Sequence, residues 1–257
     1  VNKQYGISYD KTQKSIIEPL ISSKILTEKK SPNEFGISYI HEEDKINDFK
    51  KQVLLPYSQS QNGPFIDKAD LNNDGLTDFF VGGAAGQSGE LYFQTKDGSF
   101  KKDENIIWNT DKGFEDLGVL FFDYDADGDH DLYIASGSAA FDENNIKYQD
   151  RLYKNDGKGN FSNSNSLPKN NTSNQKVIAN DFDNDGDLDL FVGGRVIPDK
   201  YPYAPKSQLL INEKGIFTDQ TKELAPQLLE AGLITDAVFS DYDNDGDSDL
   251  IITAEWS

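Results

Sequence analysis

Residues 181–194 read DFDNDGDLDLFVGG, an acidic loop that runs directly into an apolar stretch. The same pattern recurs at residues 70–83, 123–136 and 241–254. Each copy fits D-x-[DN]-x-D-G-x-x-D followed by β-branched or aromatic residues, and one copy follows another every 53 to 60 residues. Self-similarity at this period indicates one supersecondary unit per copy.

Each unit carries further strand signals around its loop. The loops at residues 123, 181 and 241 follow short apolar runs, and a later run in each of the first three units ends in a Gly-containing turn. Such turns between apolar runs are typical of β-hairpins. An aromatic residue opens the run after each turn: Phe100, Phe161 and Phe217. Four antiparallel strands per unit predict an all-β fold, a β-propeller of four-stranded antiparallel blades with the acidic loops between strands 1 and 2. About three and a half blades are present.

The repeat also predicts boundaries along the chain. Residues 1–33 are expected to form the tail of a preceding module or a linker, 34–66 a lead-in segment, and 67–257 the blades. The predicted blades span 67–116, 117–174, 175–234 and an incomplete 235–257. The chain starts at Val1 and contains no Met, so we expect a processed or cut piece of a longer product, with a signal peptide as one candidate for the missing part.

Composition excludes several classes of function. The 257 residues include 45 acidic and 25 basic side chains, for a net charge of −20. Such a chain repels nucleic-acid phosphates and anionic lipid headgroups. No stretch approaches the ~20 apolar residues of a membrane helix. With no Cys and two His, disulfides, thiolate metal sites and His-rich zinc sites are excluded.

The acidic loops have the chemistry of a calcium site. Oxygens at positions 1, 3 and 5 converge when the chain curls around a point, position 6 is Gly in every copy, and position 9 is Asp. Position 7 is expected to contribute its backbone carbonyl. Hard oxygen ligands favour Ca²⁺ over zinc or copper, so up to four structural Ca²⁺ ions are predicted. The predicted ligands are Asp70, Asn72, Asp74, Leu76, Asp78, Asp123, Asp125, Asp127, Asp129, Asp131, Asp181, Asp183, Asp185, Asp187, Asp189, Asp241, Asp243, Asp245, Asp247 and Asp249.

Two other interpretations of the loops fit the sequence less well. An EF-hand needs a bidentate Glu at position 12. That position is apolar in every copy: Val81, Ile134, Val192 and Ile252. A merely solvated acidic turn is plausible for one copy, but four copies with the same Gly and Asp positions argue against it. The first loop has Asn72 and Leu76 where the others have Asp, so we predict that it is the weakest site.

The alternation of strand directions predicts a recognition face opposite the acidic loops. The long connections there are 101–116, 136–150, 162–174 and 195–206. Long loops on a rigid scaffold commonly carry recognition residues. The candidate ligand-binding residues are Trp108, Phe141, Tyr148, Arg195, Tyr201 and Tyr203. The alternative, strongest for Tyr201 and Tyr203, is packing over a neighbouring blade.

The loops and their flanks resemble the FG-GAP/VCBS repeats of integrin-α-like β-propellers over residues 67–257. Residues 35–43 (FGISYIHEE), 60–64 (SQNGP) and 82–87 (GGAAGQ) look like the lead-in and first blade of bacterial VCBS-repeat proteins of Bacteroidota type. Those proteins are similar to the cartilage acidic protein family and often carry an ASPIC/UnbV module. The resemblance implies a secreted or cell-surface protein, associated with a bacterial outer membrane, whose loops hold calcium.

The leading functional expectation is a non-catalytic, extracytoplasmic, calcium-binding scaffold for protein or glycan recognition. One form of that role is an accessory subunit of an outer-membrane nutrient-uptake complex. The partners expected are a protein or a glycan, with no nucleic acid and no membrane span in this segment. The alternative is a propeller-type carbohydrate-active enzyme, a lyase or hydrolase. Its carboxylates would include Glu115, Asp142 and Glu143, although no pattern marks a catalytic pair.

Overall fold

The computed structural model describes residues 29–256. The chain divides into two compact units, Val1–Ser31 and Pro32–Ser257. Residues 29–31 of the first unit contain no helix or strand, and the rest of that unit lies outside the described residues. The predicted tail or linker at residues 1–33 therefore falls almost entirely outside the part of the chain that the structure describes.

The second unit begins with an irregular lead-in segment and continues as a series of antiparallel sheets. The lead-in contains two 3₁₀ turns, Pro32–Phe35 and Asp48–Lys50. Sheet 1 contains β1 (Ile66–Ala69), β2 (Asp78–Val81), β3 (Glu90–Gln94) and β4 (Phe100–Lys102). Sheet 2 contains β5 (Asp116–Phe122), β6 (Asp131–Ser136), β7 (Arg151–Asn155) and β8 (Phe161–Ser164). Sheet 3 contains β9 (Ser173–Asn180), β10 (Asp189–Val196), β11 (Gln208–Glu213) and β12 (Ile216–Asp219). Sheet 4 contains β13 (Leu233–Ser240) and β14 (Asp249–Glu255).

Strand order follows chain order in every sheet, and every pairing is antiparallel. The prediction of an all-β protein with four-stranded antiparallel sheets is therefore confirmed. The helices in the described residues are short: α1 (Ile107–Thr110), α2 (Thr221–Leu224) and the 3₁₀ turns Ile146–Tyr148 and Pro226–Glu230. They occupy connections between strands.

In sheets 1 to 3 the second strand is the most buried strand. β6 and β10 are buried at every position. A strand buried on both faces is expected to be continuously apolar, as these strands largely are. Each of the three apolar clusters lies between two successive sheets. The first strands are neighbours in space, because β5 contacts both β1 and β9, and β9 contacts β13. The loops between first and second strands are thereby brought to one side.

One predicted loop is shorter than expected. The Ser/Asn-rich stretch 162–174 was predicted to be a connection, but β8 runs through Ser164 and β9 begins at Ser173. Ser173 and Asn174 are buried. The Ser173 hydroxyl donates to the Ser138 carbonyl at 2.8 Å, and Asn174 Nδ2 donates to Asp150 Oδ2 at 2.7 Å. Tertiary partners thus allow polar residues to form the buried beginning of a strand that local composition does not predict.

Candidate metal sites and recognition face

The four acidic loops, numbered loops 1 to 4 in chain order, share one hydrogen-bond frame. In loop 3, Asp181 Oδ1 accepts from the Asp185 amide at 3.1 Å, and Asp181 Oδ2 accepts from the Gly186 amide at 3.0 Å. Asp185 Oδ1 accepts from the Asp187 amide at 2.8 Å. The equivalent bonds recur in loops 1 and 2, and loop 4 has two of the three. The side chains at positions 1 and 5 are therefore held inward by the backbone that they cap.

Two positions in each loop adopt the left-handed backbone conformation. Gly at position 6 has φ between 82° and 100°, as the sequence pattern predicts. Position 4 is also left-handed, with φ between 57° and 61°, and the sequence analysis did not single it out. The residues are Asn73, Ala126, Asn184 and Asn244. The Asn found here in three of the four loops could have predicted this conformation, because Asn tolerates it better than most residues do.

The position-9 aspartates open the second strands and are buried in the first three loops. Asp189 Oδ2 accepts from the Phe182 amide, and Asp189 Oδ1 accepts from the Asn212 amide, both at 2.8 Å. Asp78 and Asp131 repeat this arrangement. Burial raises the pKa of Asp131 to about 7, and it also raises the pKa values of Asp78 and Asp189. A bound cation would favour the charged form of each of these groups.

Three of the loops bring carboxylates close enough to share a metal ion. Within each group, one oxygen from each of three acids lies within 4.8 Å of the others. The groups are Asp123, Asp125 and Asp127; Asp181, Asp183 and Asp189; and Asp241, Asp243 and Asp249. Like charges at ~4 Å repel by about 4 kcal/mol at an effective dielectric constant of 20, so a divalent cation would relieve a large local repulsion. The all-oxygen donor set fits Ca²⁺.

The sites are not equivalent. Within residues 29–256, loop 1 forms no such group of three acids, since Asn72 stands at its position 3. In loop 2 the Lys154 ammonium contacts Asp125 and lies 3.0 Å from Asp127 Oδ2. These carboxylates raise the pKa of Lys154. The lysine therefore competes for the oxygens that a metal ion would use.

Position 7 contributes contacts outside its own loop. Asp129 Oδ1 accepts from Asn73 Nδ2 of loop 1 at 2.9 Å, and Asp187 Oδ2 accepts from the Lys214 amide at 2.8 Å. These side chains are engaged away from the loop centres. That placement is compatible with the expectation that position 7 offers its carbonyl.

Buried asparagines at the ends of the third strands connect neighbouring loops. Asn212 Nδ2 donates to the Tyr124 carbonyl of loop 2 at 2.8 Å and to the Leu188 carbonyl of loop 3 at 3.1 Å. Asn155 repeats the contact, donating to Leu71 at 2.8 Å and to His130 at 3.0 Å. We call these two side chains the asparagine clamps. Sequence analysis missed them, although Asn opens the turn after the third strand in both sheets.

Sheet 1 has no asparagine clamp. Gln94 occupies the matching place, and its backbone amide donates to Asp78 Oδ1 at 2.8 Å. Its side-chain Oε1 accepts from the Thr77 amide of the same loop at 3.1 Å. The side chain thus supports its own loop, whereas Asn155 and Asn212 each join the loops of two successive sheets.

Three of the predicted ligand-binding residues, Trp108, Tyr148 and Arg195, are buried in the structure. Trp108 is 6 % exposed, and its ring lies 5.1 Å from Phe80 and 5.2 Å from Tyr153. Tyr148 is fully buried, and its hydroxyl donates to the Phe141 carbonyl at 2.8 Å. These connections fold back onto the core, because their aromatic rings gain more from burial than from solvent contact.

Arg195 is also buried, although it was predicted to contact a ligand. Its guanidinium donates to the Tyr57 hydroxyl at 2.6 Å, to Glu255 Oε1 at 2.7 Å and to the Leu233 carbonyl at 3.3 Å. It therefore joins the lead-in segment, sheet 3 and sheet 4. A buried arginine needs charged and hydrogen-bonding partners of this kind. Three hydrogen bonds from its guanidinium are thus made within the protein.

The other candidates remain nearer the surface. Phe141 packs edge-on against Tyr148 at 5.8 Å, and Tyr201 accepts a hydrogen bond from Trp256 Nε1 at 2.6 Å. Tyr203 is 71 % exposed. The six predicted residues thus do not form one aromatic patch, and Tyr203 is the most accessible of them.

The candidate catalytic carboxylates have different surroundings. Glu115 is buried, and its Oε2 accepts from the Ala85 amide at 2.7 Å. Burial raises the pKa of Glu115 to about 8. Glu143 pairs with Lys200 at 2.6 Å, and the side chain of Asp142 is 92 % exposed. Each of these carboxylates therefore either makes a structural contact or faces solvent.

Comparison with known proteins identifies the repeats. A family model described as an FG-GAP-like repeat matches residues 70–134 and 136–192. The chain contains FG-GAP-like repeats. The matched stretches include loops 1 to 3, so this part of the predicted resemblance is confirmed. The ASPIC/UnbV-associated subtype stays a prediction.

Two other comparisons, with curated proteins and with solved structures, add little to this assignment. A search of curated proteins found no match. Among solved structures, one match is an Agrocybe aegerita lectin described as recognising non-reducing terminal N-acetylglucosamine. It is 18 % identical, with a TM-score of 0.41, over 66 % of this chain and 41 % of the lectin chain. This chain therefore spans less than half the length of that structure. Among the described residues, no helix has both the length and the apolar character needed to cross a membrane.

Proposed function

We propose that this protein is a non-catalytic β-propeller scaffold whose FG-GAP-like loops hold structural Ca²⁺. The observation that carries the proposal is the repeated convergence of three carboxylates within 4.8 Å in loops 2 to 4, on one hydrogen-bond frame. Radial packing of successive sheets, with their first strands adjacent, supports the propeller arrangement.

Calcium would act on stability. The ion neutralises carboxylates that otherwise repel one another, and it links the beginning of a loop to the start of the following strand. A ligand that binds only the folded state stabilises it by RT ln(1 + [L]/Kd), about 2.7 kcal/mol per site at a hundredfold excess over Kd. Extracellular calcium modules often have Kd values of about 10⁻⁴–10⁻³ M, which suits the extracytoplasmic location that we propose.

The side opposite the acidic loops is the proposed recognition face for a protein or glycan. It is formed by the connections after β6 and β10, on which Phe141, Tyr201 and Tyr203 lie, together with the lead-in segment. An accessory role on an outer-membrane uptake complex is one form of this proposal. The proposal that the scaffold is non-catalytic rests on the placement of three carboxylates. Glu115 accepts a structural hydrogen bond, Asp142 faces solvent and Glu143 forms an ion pair.

The test is a thermal melt in excess EGTA, in 5–10 mM CaCl₂ and in equal MgCl₂. We expect a rise in Tm that is specific to Ca²⁺. Asp183→Asn and Asp243→Asn should each reduce this rise. Asp156→Asn removes the same charge from an exposed turn between β7 and β8 and should leave the rise intact. No Ca²⁺-specific rise in the unaltered protein would refute the proposal.

A further inference from the structure

A series of buried hydrogen bonds joins the position-9 aspartates of loops 2 and 3. The backbone amide of Asn212 donates to Asp189 Oδ1 of loop 3 at 2.8 Å, and the Asn212 side chain donates to the Tyr124 carbonyl at 2.8 Å. The backbone amide of Tyr124 donates in turn to Asp131 Oδ2 of loop 2 at 3.2 Å. Three hydrogen bonds therefore connect the position-9 carboxylate of loop 3 to that of loop 2.

The same connection continues to loop 1. The backbone amide of Asn155 donates to Asp131 Oδ1 at 2.8 Å, and the Asn155 side chain donates to the Leu71 carbonyl at 2.8 Å. The Leu71 amide donates to Asp78 Oδ2 at 3.0 Å. Asp131 thus accepts from both neighbouring sheets. We call the whole series the position-9 chain, and its members are Asp78, Leu71, Asn155, Asp131, Tyr124, Asn212 and Asp189.

Every member of the position-9 chain is buried. The largest exposed fraction among the seven residues is 6 %, at Tyr124. Hydrogen bonds in such surroundings are stronger than in water and polarise one another. Displacement of one member leaves the next without its partner, and a buried polar group without a partner is costly. The positions of the three carboxylates therefore depend on one another.

Both sides of the Asn212 clamp lie at the proposed metal ligands. Asp189 belongs to the group of three acids in loop 3, and Asp123 and Asp125 belong to the group in loop 2. Tyr124 stands between those two acids. An ion held by Asp123 and Asp125 relieves their repulsion and fixes the backbone between them, which includes the carbonyl that accepts from Asn212.

From this geometry we propose that Ca²⁺ binding is coupled along loops 1 to 3, so that an ion in one loop raises the affinity of the next loop through an asparagine clamp. The ion fixes its own loop, the fixed loop orients the clamp, and the clamp holds the position-9 carboxylate of the adjacent loop. The second ion then meets a site that is already ordered, which lowers the cost of binding. The inference rests on the proposed function in assigning Ca²⁺ to the loops, and it specifies how those sites regulate one another.

Loop 4 supplies an internal control. In the part of the chain that the structure describes, sheet 4 contains the two strands β13 and β14, so it has no third strand to carry a clamp from loop 4 to loop 3. Sheets 3 and 4 are nevertheless neighbours, because β13 contacts both β9 and β10. Loop 3 thus has one neighbour joined to it by a clamp, loop 2, and one without a clamp, loop 4.

The experiment is a calcium titration of the full 257-residue chain, isotopically labelled at glycine nitrogen and followed by NMR. The position-6 glycine amides report on each loop separately: Gly75, Gly128, Gly186 and Gly246. Asp125→Asn and Asp243→Asn remove the same charge at position 3 of loops 2 and 4. We expect Asp125→Asn to weaken the calcium affinity of loop 3 at least about fivefold, and Asp243→Asn to change it less than about twofold. A general electrostatic effect would appear equally in both variants.

Two clamp variants complete a double-mutant cycle. In the Asn212→Ala background, Asp125→Asn should no longer change the calcium affinity of loop 3. Asn155→Ala is the matched control, because it removes the clamp between loops 1 and 2 and leaves the one between loops 2 and 3 in place. The Tm of each variant in CaCl₂ identifies any that is unfolded. If Asn212→Ala is unfolded, the comparison of Asp125→Asn with Asp243→Asn decides by itself.

The outcomes separate this inference from the proposed function. Equal effects of Asp125→Asn and Asp243→Asn on loop 3 overturn the coupling, and so does an effect of Asp125→Asn that persists in a folded Asn212→Ala variant. A Gly128 amide that does not respond to calcium in the unaltered protein overturns it as well. If Ca²⁺ raises Tm but the loops titrate independently, the coupling alone fails. If Ca²⁺ changes neither Tm nor any of the four glycine amides, the calcium-scaffold proposal itself fails.

Discussion

Replacing Asn212 by Ala tests whether the asparagine clamps hold neighbouring loops together. The side chain is fully buried, and it donates to the Tyr124 and Leu188 carbonyls and accepts from the Gly215 amide at 2.8 Å. Ala leaves two carbonyls and one N–H without this partner. At about 1–3 kcal/mol for each unsatisfied buried group, and with partial relaxation, the expected loss is about 3–5 kcal/mol of unfolding free energy. Asn212→Asp should cost more, because a carboxylate would face two carbonyl oxygens.

Urea unfolding in saturating CaCl₂ measures this loss as a lower midpoint at an unchanged slope. Asn155→Ala is the equivalent substitution in sheet 2. Asn155 also donates two hydrogen bonds to carbonyls and accepts one from the Gly159 amide at 3.1 Å, so its loss should lower the unfolding free energy by a similar amount. Gln94→Ala removes one bond at the margin of sheet 1 and should cost no more than about 1 kcal/mol. A loss below about 1 kcal/mol for Asn212→Ala, or a loss equal to that of Gln94→Ala, would refute the clamp.

Three further predictions concern single side chains. Lys154→Gln should strengthen calcium binding by loop 2 about fivefold in calorimetric titration, because it removes an ammonium from the ligand oxygens; unchanged or weaker binding would contradict this. Ala126→Asn should raise stability by about 0.5–1 kcal/mol in urea unfolding, since Asn tolerates the left-handed backbone there, and Asn184→Ala should lose a similar amount. Because burial raises the pKa of Glu115 from 4.5 to about 8, its contribution to stability is full below pH 4.5 and is lost as pH rises through 8. Glu115→Gln should remove that part of the slope in Tm measured from pH 5 to 9, and an unaltered slope would show that Glu115 is not its source.

Local sequence patterns predicted much of the fold. The acidic loops, the apolar second strands and the Gly-containing turns lie within contiguous stretches, so their spacing alone indicated antiparallel four-stranded sheets. The convergence of carboxylates in loops 2 to 4 follows from the same local pattern, because alternate side chains of a tightly curled loop point to one centre. The left-handed conformation at position 4 was not predicted, because Ala126 stands where the other three loops have Asn.

Tertiary structure decided which residues outside the loops are accessible. Trp108 and Tyr148 lie in connections and Arg195 lies near the end of β10, and their burial depends on partners that lie elsewhere in the chain, such as Tyr57 and Glu255 for Arg195. The asparagine clamps arise in the same way. Whether a polar or aromatic side chain is satisfied, buried or free depends on the three-dimensional arrangement of distant segments, because desolvation and hydrogen bonding act through space rather than along the sequence.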